Sequence, residues 1–93
     1  MTENSGLEMR NNEAQSRYEA TVDGTLASTC DYRLAGGTIV FPHTETMAAY
    51  RGRGIAAQLV AFALDDARSR SLKIESRCWF VDEFLASHPE YAA

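Results

Sequence analysis

A chain of 93 residues makes one domain at most, because cooperative units usually run to ~100–200 residues, so two catalytic domains are excluded. Its 45% apolar and 24% charged residues place it with folded globular domains rather than disordered chains. A net charge of -4, from 13 acidic against 9 basic residues, argues against nucleic acid as a partner, although a local basic cluster can still hold a small anion.

No apolar run approaches the ~18 residues of a membrane span, and the polar start Met1 to Glu8 has neither the charged beginning nor the apolar middle of a signal peptide. A cytoplasmic protein with no membrane partner is expected. Cys30 and Cys78 stand far apart without CxxC spacing, so they read as free thiols, and no metal site is expected.

From Met1 to Ser16 nearly every residue is polar, and Leu7 and Met9 are too isolated to make an apolar face. This predicts a disordered tail over 1–16 and a single domain over 17–93. From Arg17, the alternation of Tyr18, Ala20 and Val22 with Arg17, Glu19 and Thr21 predicts a half-buried strand. Asp23-Gly24 tolerates the positive φ angles of a tight hairpin turn, so the next alternating run, through Leu26, Ser28, Cys30, Tyr32 and Leu34, should pair back antiparallel. After the turn Ala35-Gly36-Gly37, Thr38 to Thr46 is rich in β-branched and aromatic residues and predicts a third strand. Pro42 interrupts it and predicts a bulge, an edge or a loss of pairing. Strict alternation would put Ile39, Phe41, His43 and Glu45 on one face, and a bulge at Pro42 would re-aim the last two.

From about Gly54 to Arg70 the period turns helical, with Ile55, Leu59, Val60, Phe62 and Leu64 in a broad apolar face. Leu72 to Cys78 alternates again. Strand, helix and strand joined this way imply a parallel pair with a right-handed crossover. A short helix should follow from Trp79 to about Ser87, with Pro89 beyond its stop. Trp79, Phe80 and Phe84 read first as core, and Cys30 as a small core residue. The fold class is mixed α/β (α+β), an antiparallel meander followed by a β-α-β unit and a short C-terminal helix.

The most informative stretch is Tyr50-Arg51-Gly52-Arg53-Gly54-Ile55-Ala56, between a strand and the long helix. Two glycines leave peptide N–H groups uncovered, and the helix presents its unpaired first-turn donors and positive dipole end. Arg51 and Arg53 add charge at the same point, which suits a diphosphate. A glycine-rich turn with two solvated arginines is the plainer alternative. The Walker pattern GxxxxGKS/T is missing, and GxGxxG would need a glycine near Gln58, so nucleotide hydrolysis is disfavoured.

That segment, as Arg51-x-x-Gly54-x-Ala56, resembles the diphosphate loop of motif A in the GNAT superfamily of acyl-CoA N-acyltransferases. From Tyr18 to Tyr91 the chain is similar to the very small single-domain YjdJ-type members. The likeness rests on His43-Thr44-Glu45, on Tyr50 to Ala56, and on Cys78-Trp79-Phe80 with His88-Pro89-Glu90-Tyr91. The resemblance implies a minimal GNAT fold and acetyl-CoA as cosubstrate, with Arg51, Gly52, Arg53, Gly54, Ile55 and Ala56 around the diphosphate. It also implies that the strand before the loop opens away from its neighbour, so that Thr44, Thr46 and Met47 offer free backbone groups to the pantetheine and Thr46 N–H serves the thioester carbonyl.

Three residues carry the implied chemistry. Glu45 is the carboxylate best placed to take a proton from an attacking amine, against an exposed or ion-paired side chain. His43 is a natural proton carrier, against a histidine bonded in the core. Cys78 ends the fourth strand beside the acyl group, where a thiol role competes with a buried, inert one. The expected activity is direct transfer of acetyl from acetyl-CoA to a primary amine of a small molecule or protein. The alternatives are a module that binds acetyl-CoA or CoA with little turnover, and a protein-interaction domain. The expected partners are acetyl-CoA or CoA and an amine acceptor, in a monomer or weak homodimer.

Overall fold

A computed structural model describes residues 6–91. Its sheet has five strands in chain order: β1 (Leu7–Asn12), β2 (Arg17–Val22), β3 (Thr25–Ala35), β4 (Thr38–Thr46) and β5 (Lys73–Ser76). Pairing is antiparallel through β4 and parallel between β4 and β5. The long helix α1 (Ile55–Ser69) supplies the crossover, and α2 (Trp79–Ser87) follows β5. No helix among the described residues is long and apolar enough to cross a membrane.

The Asp23-Gly24 turn takes positive φ at both residues (51° and 86°), the geometry whose twist matches the flanking strands. Tyr18, Ala20, Cys30 and Phe41 then share the sheet face that meets Leu59, Val60, Ala63 and Leu64 of α1, all fully buried. Each large apolar side chain buried there contributes about 1.5–3 kcal/mol. Tyr18 pins the layers together: its ring meets Phe62 edge-on, and its hydroxyl donates to Asp66 Oδ2 at 2.7 Å. Asp66 also faces Arg70 at 3.6 Å, one helical turn on.

The N-terminal expectation needs correction. Residues 1–5 lie outside those described, but Leu7–Asn12 is a strand in register with β2, Leu7 opposite Val22 and Asn12 opposite Arg17. Leu7 and Met9 suffice because an edge strand covers only the margin of the core. Its polar residues are bonded as well. Glu19 lies buried on the sheet face away from α1 and receives Arg10, Asn12 and Arg17 at 2.7–3.0 Å. Burial alone would raise this carboxyl. The three donors outweigh it and hold the pKa at about 2. Leu34, the last residue of the alternating run, is 52% exposed near the end of the β3–β4 hairpin.

The register of β3 on β4 slips by one residue: Asp31 pairs with His43 but Arg33 with Val40. Tyr32 therefore faces both Phe41 and Pro42, so the expected bulge sits at the proline. Before it, Ile39 and Phe41 point into the core; after it, Thr44 and Thr46 take that face, while His43 and Glu45 turn to the other.

Candidate functional site

Pairing between β4 and β5 ends at Phe41 and Ser76, with one more backbone bond from Arg77 N–H to the Phe41 carbonyl at 2.9 Å. β4 continues to Thr46, whereas the other chain turns away into α2, and a cleft opens between them. Met47 N–H donates to the Ala27 carbonyl at 2.8 Å. Since the groups of an antiparallel strand alternate in direction, His43, Glu45 and Met47 are committed to β3, and the N–H groups of Thr44 and Thr46 point into the cleft. Met47, expected to offer a free backbone donor, has none to offer.

Within the cleft, a cavity of about 360 Å³ is bounded by Pro42, His43, Thr44 and Thr46 of β4 and by Arg77, Cys78, Trp79 and Phe80. It adjoins a second, of about 310 Å³, against Tyr50 to Gly52 and the start of α1 from Gly54 to Ala57. Thr46, Ala56 and Phe80 border both, which makes one continuous groove.

The outer end of the groove is built to receive an anion. Gly52 and Gly54 hold φ at +82° and +74°, and a Cβ on either would meet no atom within 4 Å, so backbone strain and not crowding calls for glycine. Gly54 caps α1 without a side chain, and the first turn contains no acid. The first helical bond runs from Gln58 N–H to the Gly54 carbonyl. The N–H groups of Ile55, Ala56 and Ala57 thus lack helical partners and face the groove with the positive end of the helix dipole. Arg51 Nε donates to the Thr46 carbonyl at 3.3 Å, and the Arg53 guanidinium lies over the Tyr50 ring at 5.2 Å. Arg51 borders this end of the groove, and Arg53 stands between its two glycines.

At the inner end the thiol of Cys78, 8% exposed, donates to Thr44 Oγ1 at 3.6 Å, and that hydroxyl donates to Cys30 Sγ at 3.7 Å. Burial pushes the Cys30 thiol up to about 12, away from the thiolate form. His43 Nε2 lies 3.7 Å from Glu45 Oε1, both side chains more than half exposed. The pair expected from alternation therefore forms on the sheet face away from α1, at the lip of the cleft. His88 is elsewhere: it stacks on Phe84 at 4.0 Å and meets its carbonyl at the far end of α2, so it does not pair with Cys78. Among the described residues no group of three or more His, Cys, Asp or Glu could hold a metal.

Sequence reasoning missed two lining residues. Trp79, expected in the core, is 73% exposed at the cleft, and Phe80 lies between the two halves of the groove. Their place directly after Cys78 was the available signal; helical periodicity alone assigned them to packing.

Comparison with known proteins points the same way. A family model described as GCN5-related N-acetyl-transferase matches residues 17–93. Protein NATD1 of Homo sapiens is 41% identical over 59 residues, 62% of this chain and 52% of its own length, and the Gallus gallus protein is 41% identical over the same span. The chain thus spans about half the length of these curated relatives. Among solved structures, a GCN5-like protein from Staphylococcus aureus superposes with a TM-score of 0.72 at 24% identity, over 94% of this chain and 85% of its own. A GCN5-related N-acetyltransferase from Sphaerobacter thermophilus gives 0.61 at 22% identity, over 67% of this chain and 21% of its own.

Proposed function

Because the chain belongs to the GCN5-related N-acetyltransferase family, we propose that it transfers an acetyl group from acetyl-CoA to a primary amine. The observation that carries this reading is the meeting of two sets of unpaired backbone donors in one groove: Thr44 and Thr46 on β4, and Ile55 to Ala57 at the start of α1. A diphosphate fits the second set, since side-chain-free glycines, uncapped helical N–H groups and Arg51 border it, with Arg53 in the same loop. The cleft beyond fits an extended pantetheine arm.

Acetyl-CoA supplies an acyl group activated as a thioester. Thr46 N–H is the donor for its carbonyl oxygen, where negative charge grows during attack. The amine nitrogen forms the new C–N bond as the C–S bond breaks, and the sulfur leaves to be protonated. Glu45, through His43 or a water, takes the proton that the amine gives up. Cys78 needs no covalent role, because an amine attacks a thioester directly.

A second reading has its own support. Among the described residues, the sheet face carrying His43 and Glu45 has no helix over it, and β1 joins β2 through the short turn Glu13–Ser16. A module that binds CoA without a fixed amine partner fits that bareness. Calorimetry with acetyl-CoA, followed by mass spectrometry of amines incubated with it, separates the two: binding with transfer supports the enzyme, binding alone supports the module, and no binding refutes both.

A further inference from the structure

The block His88-Pro89-Glu90-Tyr91 borders neither half of the groove. It leaves α2 at His88, whose ring stacks on Phe84 at 4.0 Å, and Pro89 opens a single tight turn that brings Tyr91 back against α1. There Tyr91 is held at two points. Its hydroxyl donates to Asp65 Oδ1 at 2.8 Å, and the Arg68 guanidinium lies over its ring at 5.2 Å. Asp65 and Arg68 stand one helical turn apart on the exposed side of α1. The Tyr91 ring also meets Phe84, at 5.8 Å between centroids.

This strap matters because α2 has little else to orient it. Val81 is its one fully buried side chain, and Phe80, Phe84 and Leu85 are only partly buried against the core. A single buried residue sets where a short helix lies but leaves its rotation to other contacts. Phe84, with the His88 and Tyr91 rings against it, stands four residues after Phe80 and so on the same side of α2. Phe80 borders both halves of the groove. A rotation of α2 that carried Phe84 away from these rings would carry Phe80 out of the groove wall.

We propose, resting on the acetyl-CoA reading of the groove, that Tyr91 is a positioning residue: tied to Asp65 and Arg68, it locks the rotation of α2 and thereby fixes Phe80 as the wall shared by the two halves of the groove. The residue touches no reacting atom. It acts through α2, from the end of that helix opposite the cleft.

Its effect is therefore read at a distance. In the free protein, Tyr91→Ala should shift the emission of Trp79, the single tryptophan of the chain, which stands at the groove end of α2 with its ring 6.5 Å from that of Phe80. Calorimetry should find acetyl-CoA bound at least about fivefold more weakly by Tyr91→Ala, while circular dichroism holds. Tyr91→Phe keeps the ring and loses the bond to Asp65, and should weaken binding about threefold. Asp65→Ala removes the same bond from an exposed position that adds little to stability. It should match Tyr91→Phe, and the two together should lose no more than either alone. In steady state, KM for acetyl-CoA should rise in Tyr91→Ala with kcat within about twofold of wild type, whereas a variant that merely unfolds in part would lose kcat and keep KM. Unchanged acetyl-CoA affinity in Tyr91→Ala overturns the inference with the transferase reading intact. Failure of the wild-type protein to bind acetyl-CoA overturns that reading instead, and the lock on α2 is then upheld by a shifted Trp79 emission in free Tyr91→Ala and refuted by an unshifted one.

Discussion

The Arg77 amide donates to the Phe41 carbonyl at 2.9 Å, and among the described residues this is the last backbone bond between β4 and the chain beyond β5. Pro42 follows at once and has no N–H to extend the ladder. Cleft and proline are thus one feature: the strand bulges where its partner departs. The amides of Thr44 and Thr46 should exchange with solvent at least about tenfold faster than those of Glu45 and Met47, which bond to β3. Hydrogen exchange followed by NMR checks this, and acetyl-CoA should slow Thr46. Uniform protection from residue 44 to 47 would show that the cleft is closed.

The glycine at the start of α1 allows a prediction with two readouts. Gly54 holds φ at +74° with no side chain near the place a Cβ would take. Gly54→Ala should therefore cost about 1 kcal/mol through backbone strain and not through a clash. Thermal unfolding should show a loss of a few degrees. Acetyl-CoA affinity should fall further than stability does, because a shifted Gly54 re-aims the N–H groups of Ile55 and Ala56.

The paired substitution Arg51→Ala with Arg53→Ala should weaken acetyl-CoA binding by about tenfold or more at low salt and leave the fold intact. Arg51 is exposed and makes one long bond to the Thr46 carbonyl, and Arg53 packs on the Tyr50 ring. Such surface contacts contribute little to stability. Their attraction for a diphosphate is electrostatic, so calorimetry at rising ionic strength should find the gap between variant and wild type narrowing. Equal affinity at low salt would take the diphosphate away from this loop.

Much of this was legible before any coordinates. β4 and α2 have the bounds read from the sequence, because a β-branched and aromatic run after Ala35-Gly36-Gly37 and a terminal proline are local signals. β1 was not legible: Glu8, Arg10 and Asn12 look like a solvated tail until the sheet brings Glu19 beside them. The side on which His43 and Glu45 emerge depended on the bulge, which a proline announces without saying how the register resumes. Trp79 was missed for a related reason. A helical period marks which residues share a stripe, but the first residue of a helix lies at its end, where the cleft and not the core is the neighbour.

Glu19 should make stability depend on acid. Its folded pKa, about 2, lies below the ordinary value of 4.5. The stability this difference contributes is fully present above pH ~4.5 and is lost as pH falls toward 2. Urea unfolding should find Glu19→Gln weaker than wild type by on the order of 1–2 kcal/mol at pH 7. The gap should shrink between about pH 4.5 and 2. A difference independent of pH would mean that packing, and not the charge held by Arg10, Arg17 and Asn12, accounts for the loss.

Cys78 gives the sharpest choice between two chemistries. Its thiol donates to Thr44 Oγ1, which in turn donates to the buried Cys30. The thiol's hydrogen bond goes to a neutral hydroxyl and not to a base, whereas a covalent acyl-enzyme requires the thiolate. Cys78→Ala should therefore keep kcat within about fivefold of wild type, since direct attack asks of this residue only that it fill space. It should also lose about 1 kcal/mol of stability, because the side chain is almost fully buried and a small void replaces the sulfur. Mass spectrometry of the wild-type protein after exposure to acetyl-CoA should find no acetyl group on Cys78. A stable acetyl-thioester there, together with a loss of several orders of magnitude in the variant, would sink direct transfer and make the sulfur the first acceptor.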